Sequence, residues 1–347
     1  MKATPNTSSL IPVSVTVIIA VRNEEENIPR IHSELAVQDY PSELLEILFI
    51  NDHSIDQSRN LLEQISSNDK RFRTMELKKN MQGKKAAIRQ GIANARGNLI
   101  ITTDADCYLP SSWITTIVTC YSDGKPKMIL GPVKIAGEGL PARFQQLDML
   151  SLMGSTAGSA GRNKSLMANA ANMAFEKQVF AQANLHEQVP TGDDIFLLEH
   201  VKRLYPDNIC FLNSKKAIID TPACSFQMFL QQRVRWASKS RYLKDIDILY
   251  TGWIVAVTNG ILLVTLIASI LWPPLLLVYI AGLTLKSIPD YILVYKAACF
   301  FGQKKVLRLF IPLQLVYPLY ASVFALLGLF LPYQWKGRKH QGSMNSD

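Results

Sequence analysis

The sequence predicts an α/β domain on a mostly parallel β-sheet, followed by an α-helical membrane region. Three observations carry this expectation. In the N-terminal part, short apolar, β-branched runs alternate with helix-patterned segments, the arrangement that builds a parallel sheet. Polar residues gather directly after those runs, where an open α/β sheet places its ligands. From Trp253 to Leu331 the apolar residues merge into blocks that approach the ~20 residues needed to span a bilayer.

The elements follow in order. "VSVTVIIAV" (13–21) reads as a buried parallel strand, after which Asn23 can cap a helix whose first turn, Glu24 to Glu26, suits the positive end of the helix dipole. "EILFIND" (46–52) is a second strand, with a helix expected over 56–64. "RFRTMEL" (71–77) gives a third strand, "KKAAIRQGIANA" (84–95) a helix and "NLIITT" (98–103) a fourth strand. The strand ends run into Arg22-Asn23-Glu24, Asn51-Asp52-His53-Ser54 and Thr103-Asp104-Ala105-Asp106. The stretch 154–175 is rich in small residues and is followed by "VPTGDDIFLLEHV" (189–201).

The resulting division is an N-terminal tail (1–12), an α/β domain (13–228), an amphipathic interface helix (229–250), a membrane region (251–333) and a basic tail (334–347). Three apolar segments, 252–272, 274–295 and 308–331, make up the membrane region, with "WPP" (272–274) as a turn. Three crossings would carry "KGRKH" (336–340) outside, against the positive-inside rule; the middle segment, with Lys286, Pro289 and Asp290, is the weakest span. The N-terminus lacks an apolar core of signal-peptide length, so the large domain is expected in the cytoplasm of a multi-pass membrane protein, at a bacterial inner membrane. Five cysteines form no CxxC pair, which fits a reducing compartment and excludes a cysteine zinc site. The formal charge of +9 is better explained by a membrane surface and an anionic substrate than by nucleic acid, because many of the cations flank the apolar blocks.

Several residue types point to chemistry. Asp104 and Asp106 straddle Ala105 directly after a strand, so both carboxylates can face one point above the sheet edge. Two hard oxygen donors suit Mg2+ or Mn2+ bound with a diphosphate, although an acidic turn gives the same pattern. Asp52 can accept hydrogen bonds from a base or ribose, or simply make an Asx turn in "NDHS". "QGKKAA" (82–87) puts two lysines at a helix start, a position for a phosphate, without the spacing of a P-loop. Asp193 and Asp194 serve either as a helix cap or as a general base. "FLQQRVRWASKSRYLKDID" (229–247) packs five Lys or Arg residues before the first apolar block. With 226–243 helical, Gln232, Arg235 and Trp236 share a face at i, i+3 and i+4, able to hold a diphosphate and stack on a ring. Arg233 and Lys239 fall on other faces, and Lys239, Arg241 and Lys244 suit anionic lipid head groups.

Taken together, "SVTVIIAVRNEEENI", "DHSIDQS", "TTDADC", "TGDD" and "QRVRW" (232–236, a QxxRW motif) resemble the family 2 glycosyltransferases, membrane-bound inverting enzymes of GT-A fold. The resemblance covers about residues 13–240, and the tail ending in "WKGR" (335–338) is similar as well. It implies a glycosyltransferase moving a hexosyl or N-acetylhexosaminyl group from a UDP-sugar donor to a saccharide or lipid-linked acceptor, in cell-envelope polysaccharide or glycolipid synthesis. It places Asn23, Glu24, Asp52, Lys84, Asp104, Gln232, Arg235 and Trp236 at the donor, with Asp52 on uracil or ribose. Asp106 is then the direct metal ligand beside Asp104, and Asp194, preceded by Asp193, the catalytic base. Ala170 stands where many relatives have Gly, and Asn172 matches. A processive polysaccharide synthase and a non-catalytic nucleotide-sugar-binding scaffold are the alternatives; three membrane segments are few for a polymer channel, and every candidate carboxylate is retained.

Overall fold

The computed structural model describes residues 12–183, 189, 192–330, 333–335 and 338–340. The N-terminal tail up to residue 11, Pro190 and Thr191 of "VPTGDD", Lys336 and Gly337 of "WKGR" and the end of the basic tail lie outside the described residues. The chain forms two compact units, one of residues 1–136 with 155–222, the other of residues 137–154 with 223–347.

In the first unit β1 (Val15–Val21), α1 (Ile28–Ala36), β2 (Leu45–Asn51), α2 (Ser58–Asn68), β3 (Phe72–Glu76), α3 (Lys84–Asn94) and β4 (Leu99–Asp104) follow one another as the alternation requires. Then come α4 (Trp113–Gly124), β5 (Met128–Leu130), β6 (Val133–Ala136), α5 (Gly139–Ala160), whose start to Gly154 belongs to the second unit, β7 (Met173–Glu176), α6 (Lys177–Ala181), α7 (Asp193–Leu204), β8 (Ile209–Phe211) and β9 (Ile219–Pro222). Among the described residues the main sheet has seven strands in the order β3-β2-β1-β4-β7-β5-β8. β3, β2, β1 and β4 run parallel, whereas β7 is antiparallel to both its neighbours. β6 and β9 form a separate parallel pair.

β1 and β2 are buried almost throughout, which is why they read as continuous apolar runs rather than alternating ones. The chain leaves β1 toward β2 on one side, and β4 adds on the other side of β1. The carboxyl ends of β1 and β4 therefore flank the point where strand order reverses, the place where open sheets bind ligands. α3 lies close on this sheet because Gly91 has no side chain: a Cβ there would stand 2.6 Å from the Ile18 methyl group. That close approach carries the first turn of α3 to the strand ends.

One local expectation is corrected. Asn23 does not cap α1; the helix begins at Ile28 after Asn27, with no acidic residue in its first turn. Asn23 takes a left-handed backbone (φ 52°), and its side-chain oxygen accepts the Ile55 N–H at 3.0 Å. Adjacent parallel strands bring the loop after β2 alongside the loop after β1, so donors from the neighbouring loop are nearer than those of the helix. Glu25 and Asp56 add reciprocal bonds, the Glu25 N–H to the Asp56 carboxylate at 3.1 Å and the Gln57 N–H to the Glu25 carboxylate at 2.8 Å.

The second unit holds α8 (Phe226–Ser238), α9 (Ile246–Ala268), α10 (Leu275–Phe301), α11 (Phe310–Phe330) and a hairpin of β10 (Tyr333–Trp335) and β11 (Arg338–His340). The helix expected over 226–243 is α-helical to Ser238 and continues as a 3-10 turn, Lys239–Tyr242, before Asp245 caps α9. Three helical stretches, Ile246–Ala268, Leu275–Phe301 and Lys304–Phe324, are long and apolar enough to cross a membrane. Trp253, Ile254, Leu277, Val278, Ile311 and Leu315 are among the large apolar side chains left exposed on them. The middle stretch is one continuous helix despite Pro289, and Lys286 is compensated, donating to Asp290 at 2.7 Å and to Gln314 of α11 at 2.9 Å.

Candidate active site

The site is built by loops at the carboxyl ends of β1, β2 and β4 and by the first turns of α3 and α7. Asp52, one residue beyond β2, is buried, and a carboxylate oxygen accepts the Gly83 N–H at 3.0 Å. Arg22, just past β1, donates to the Asp52 carbonyl at 2.7 Å, so the β2 end is held from both sides. Asp52 thus fixes the turn from which α3 starts.

Lys84, the first residue of α3, is ion-paired with Asp104, the last residue of β4. Burial pushes the Lys84 ammonium pKa down, but the negative charges of Asp104 and then of Asp194 outweigh it and hold the value above the usual lysine range. Its neighbour Lys85 is buried; it donates to the Val189 carbonyl at 2.9 Å and lies 3.7 Å from the Asp193 carboxylate. Asp193 opens α7, and the Asp194 carboxylate accepts the Ile195 N–H at 2.8 Å.

Asp106 lies two residues past Asp104, beside the buried Cys107 thiol. Burial raises the Cys107 pKa, and the charges of Asp104 and Asp106 raise it further, so it remains a thiol. This loop is braced from α1. Arg30 donates to the carbonyls of Ala105 and Cys107, its guanidinium lies 3.8 Å from the Tyr108 ring centre, and Glu34 accepts the Leu109 N–H at 2.8 Å. Sequence reasoning passed over Arg30, which falls in an ordinary amphipathic helix; its one signal is an arginine on the helix that follows the first strand.

The carboxylates fit a divalent cation bound with a nucleotide. Asp104 and Asp106 offer hard oxygens on one turn, and among the described residues no three His, Cys, Asp or Glu side chains gather to hold a metal without other ligands. Mg2+ and Mn2+ take few protein carboxylates in such sites and complete their shell with phosphate oxygens and water. Asp104 and Asp106 are the residues that would hold the ion.

Asn23 and Glu24 lie at the end of β1 as loop-building residues: the Asn23 N–H donates to the Ser54 hydroxyl at 3.0 Å and the Glu24 N–H to the Ser58 hydroxyl at 2.8 Å. Asn172 is buried, accepting from the Trp113 indole at 3.0 Å and donating to the Pro132 and Ala217 carbonyls at 2.9 Å each.

In the second unit Gln232, Arg235 and Trp236 lie on α8 at the expected spacing. Arg233 is corrected in one respect: its side chain does not leave the motif. It is buried and ion-paired with Asp148 of α5, with its guanidinium 4.2 Å from the Trp236 ring centre and 4.6 Å from that of Phe229. A cation three residues before an aromatic on a helix reaches its ring face.

The sheet order and the acidic loops at its carboxyl ends define an α/β domain of GT-A type. A mannosyltransferase, PcManGT from Pyrobaculum calidifontis solved with GDP-Man and Mn2+, shares this fold at a TM-score of 0.57, with 16% identity over 93% of this chain and 90% of that one. TarS 1-349 from S. aureus, solved with UDP, matches at a TM-score of 0.50, with 18% identity over 94% and 95% of the two chains. Residues 16–182 match the model of glycosyl transferase family 2. An undecaprenyl-phosphate 4-deoxy-4-formamido-L-arabinose transferase from Shewanella sediminis is 35% identical over 112 residues, 32% of this chain and 34% of the relative. The chain spans about a third of the length of such curated relatives.

Proposed function

We propose that the chain is an inverting glycosyltransferase at a membrane, moving a sugar from a nucleoside diphosphate sugar, a UDP-sugar, to the hydroxyl of a saccharide or lipid-linked acceptor. The observation that carries this reading is the ion pair of Lys84, at the start of α3, with Asp104 at the acidic end of β4, with Asp194 close enough to act on the same cation. Such an arrangement separates two tasks. Asp104, Asp106 and Lys84 hold the diphosphate end of the donor, with Asp52 and the Gly83 turn beneath the nucleoside. Asp194 is left to accept the proton of the attacking hydroxyl, on the face opposite the leaving diphosphate. An α-linked donor then yields a β-linked product. A divalent cation, when bound by Asp104 and Asp106, supplies neutralisation of charge on the leaving diphosphate. Lys84 contributes a fixed positive charge at the same end, the electrostatic effect that dominates such reactions.

The lipid-linked acceptor is supported by the three apolar helices and by the relative whose name joins undecaprenyl phosphate to sugar transfer. The test is a panel of UDP-glucose, UDP-N-acetylglucosamine and GDP-mannose with vesicles containing undecaprenyl phosphate or diacylglycerol, with and without Mn2+, read as nucleotide release. Asp194→Asn is expected to remove transfer, by about a thousandfold or more, while UDP still binds. Normal turnover by that variant would end the assignment of the base.

A further inference from the structure

We infer that Lys85 is a positioning residue: it holds the Asp193-Asp194 segment in place from α3, a role that rests on the reading of Asp194 as the base. Two consecutive lysines at the start of a helix oppose the helix dipole, which favours anions there. This local cost has two separate long-range compensations. Lys84 meets Asp104 of β4, whereas Lys85, about 100° further round the helix, meets the Val189 carbonyl at 2.9 Å and the Asp193 carboxylate at 3.7 Å. Lys85 is only 6% exposed, and its ammonium lies 5.6 Å from the Phe196 ring centre on α7.

A buried ammonium is unfavourable unless it is paired, and a methionine would fill the same space without that cost. What the charge adds is a tether between α3 and the chain immediately before the base. Asp194 follows Asp193 directly and accepts the Ile195 N–H, so its backbone position is that of the first turn of α7, the turn that Lys85 grips. The first turn of α3 thereby serves three partners: Gly83 binds Asp52, Lys84 binds Asp104 and Lys85 binds the α7 start. The groups proposed to hold the donor and the base thus meet at one helix start.

The experiment uses the full chain in membranes, with whichever donor and acceptor of the panel gave turnover. Lys85→Met, Lys85→Arg, Asp193→Asn, the Lys85→Met/Asp193→Asn double variant and Asp194→Asn are compared for kcat, acceptor KM, UDP binding and thermal midpoint. Lys85→Met is expected to lower kcat by about a hundredfold, the cost of a misplacement of roughly 1 Å, with UDP affinity kept within about threefold. Asp193→Asn moves the same way, the double variant is no worse than the poorer single one, and Lys85→Arg recovers about tenfold of the loss. Wild-type kcat in Lys85→Met beside an inactive Asp194→Asn would overturn the inference while leaving the proposed function standing. So would a parallel loss of UDP binding, which would make Lys85 a donor ligand. An active Asp194→Asn refutes the base itself, and the inference with it. Should Lys85→Met fail to fold, Lys85→Arg and Asp193→Asn carry the same readouts.

Discussion

Replacing Gly131 by alanine provides a demanding check of the geometry that frames the site. A Cβ at this position would lie 2.2 Å from the Asn172 side-chain carbon, 2.3 Å from its oxygen and 2.4 Å from its nitrogen. Gly131 follows β5 and donates its N–H to the Asn172 carbonyl at 2.8 Å, so the two backbones are already in contact and cannot part without breaking the β5–β7 pairing. The Asn172 side chain must therefore leave, and it holds three buried hydrogen bonds, to Trp113, Pro132 and Ala217. At about 1 kcal/mol net for each, the substitution costs about 3 kcal/mol. For a unit of about 200 residues this corresponds to a fall in the thermal midpoint of about 6–12 °C, read by differential scanning calorimetry. The decisive comparison is a double-mutant cycle. With Asn172→Ala in place the clash is gone, so adding Gly131→Ala should cost less than about 1 kcal/mol more. Full additivity of the two substitutions, or a shift below about 2 °C for Gly131→Ala alone, would refute the account.

Two further outcomes follow from the site and the core. Lys84→Met removes the cation that competes for Asp104, so half-saturation by Mn2+ should move to lower concentration. At the same time kcat should fall by about tenfold or more, because a fixed charge at the leaving diphosphate is lost; unchanged Mn2+ dependence in a titration of nucleotide release would speak against the pairing. Glu46 is buried on β2: burial raises its pKa, but hydrogen bonds from the Arg96 N–H, Thr16 and Arg73 outweigh this and hold it below the ordinary value of 4.5. Its stabilising contribution is therefore complete above that value and is lost as pH falls through the depressed one, and Glu46→Gln should flatten the acid limb of a stability–pH profile.

The two halves of this picture differ in how readily they can be read from the chain. β1, β2 and β4 were legible because strands buried on both faces must be continuously apolar, and Asp52, Asp104 and Asp106 stood out because they end those runs. The three apolar stretches were legible because length and composition alone mark helices able to cross a membrane. Asn23 was misread because an Asn before a helix is a common cap, and its actual partner, Ile55, is 32 residues away. Arg233 was set apart from the QxxRW face by helical spacing alone, yet the buried carboxylate of Asp148, 85 residues earlier, keeps its guanidinium against Trp236.

The sequence by itself determined the alternation that makes a parallel sheet, the acidic ends of its strands and the apolar length of the C-terminal helices. Each of these follows from local periodicity and composition. Tertiary structure alone decided which carboxylate each of the two adjacent lysines meets, because neighbouring residues on a helix point about 100° apart and their partners arrive from strands and helices remote in the chain. It likewise decided that Arg30 braces the Asp104–Asp106 loop and that Asn172 serves packing. Long-range electrostatics and the burial of polar groups settle such pairings, and neither leaves a period in the sequence.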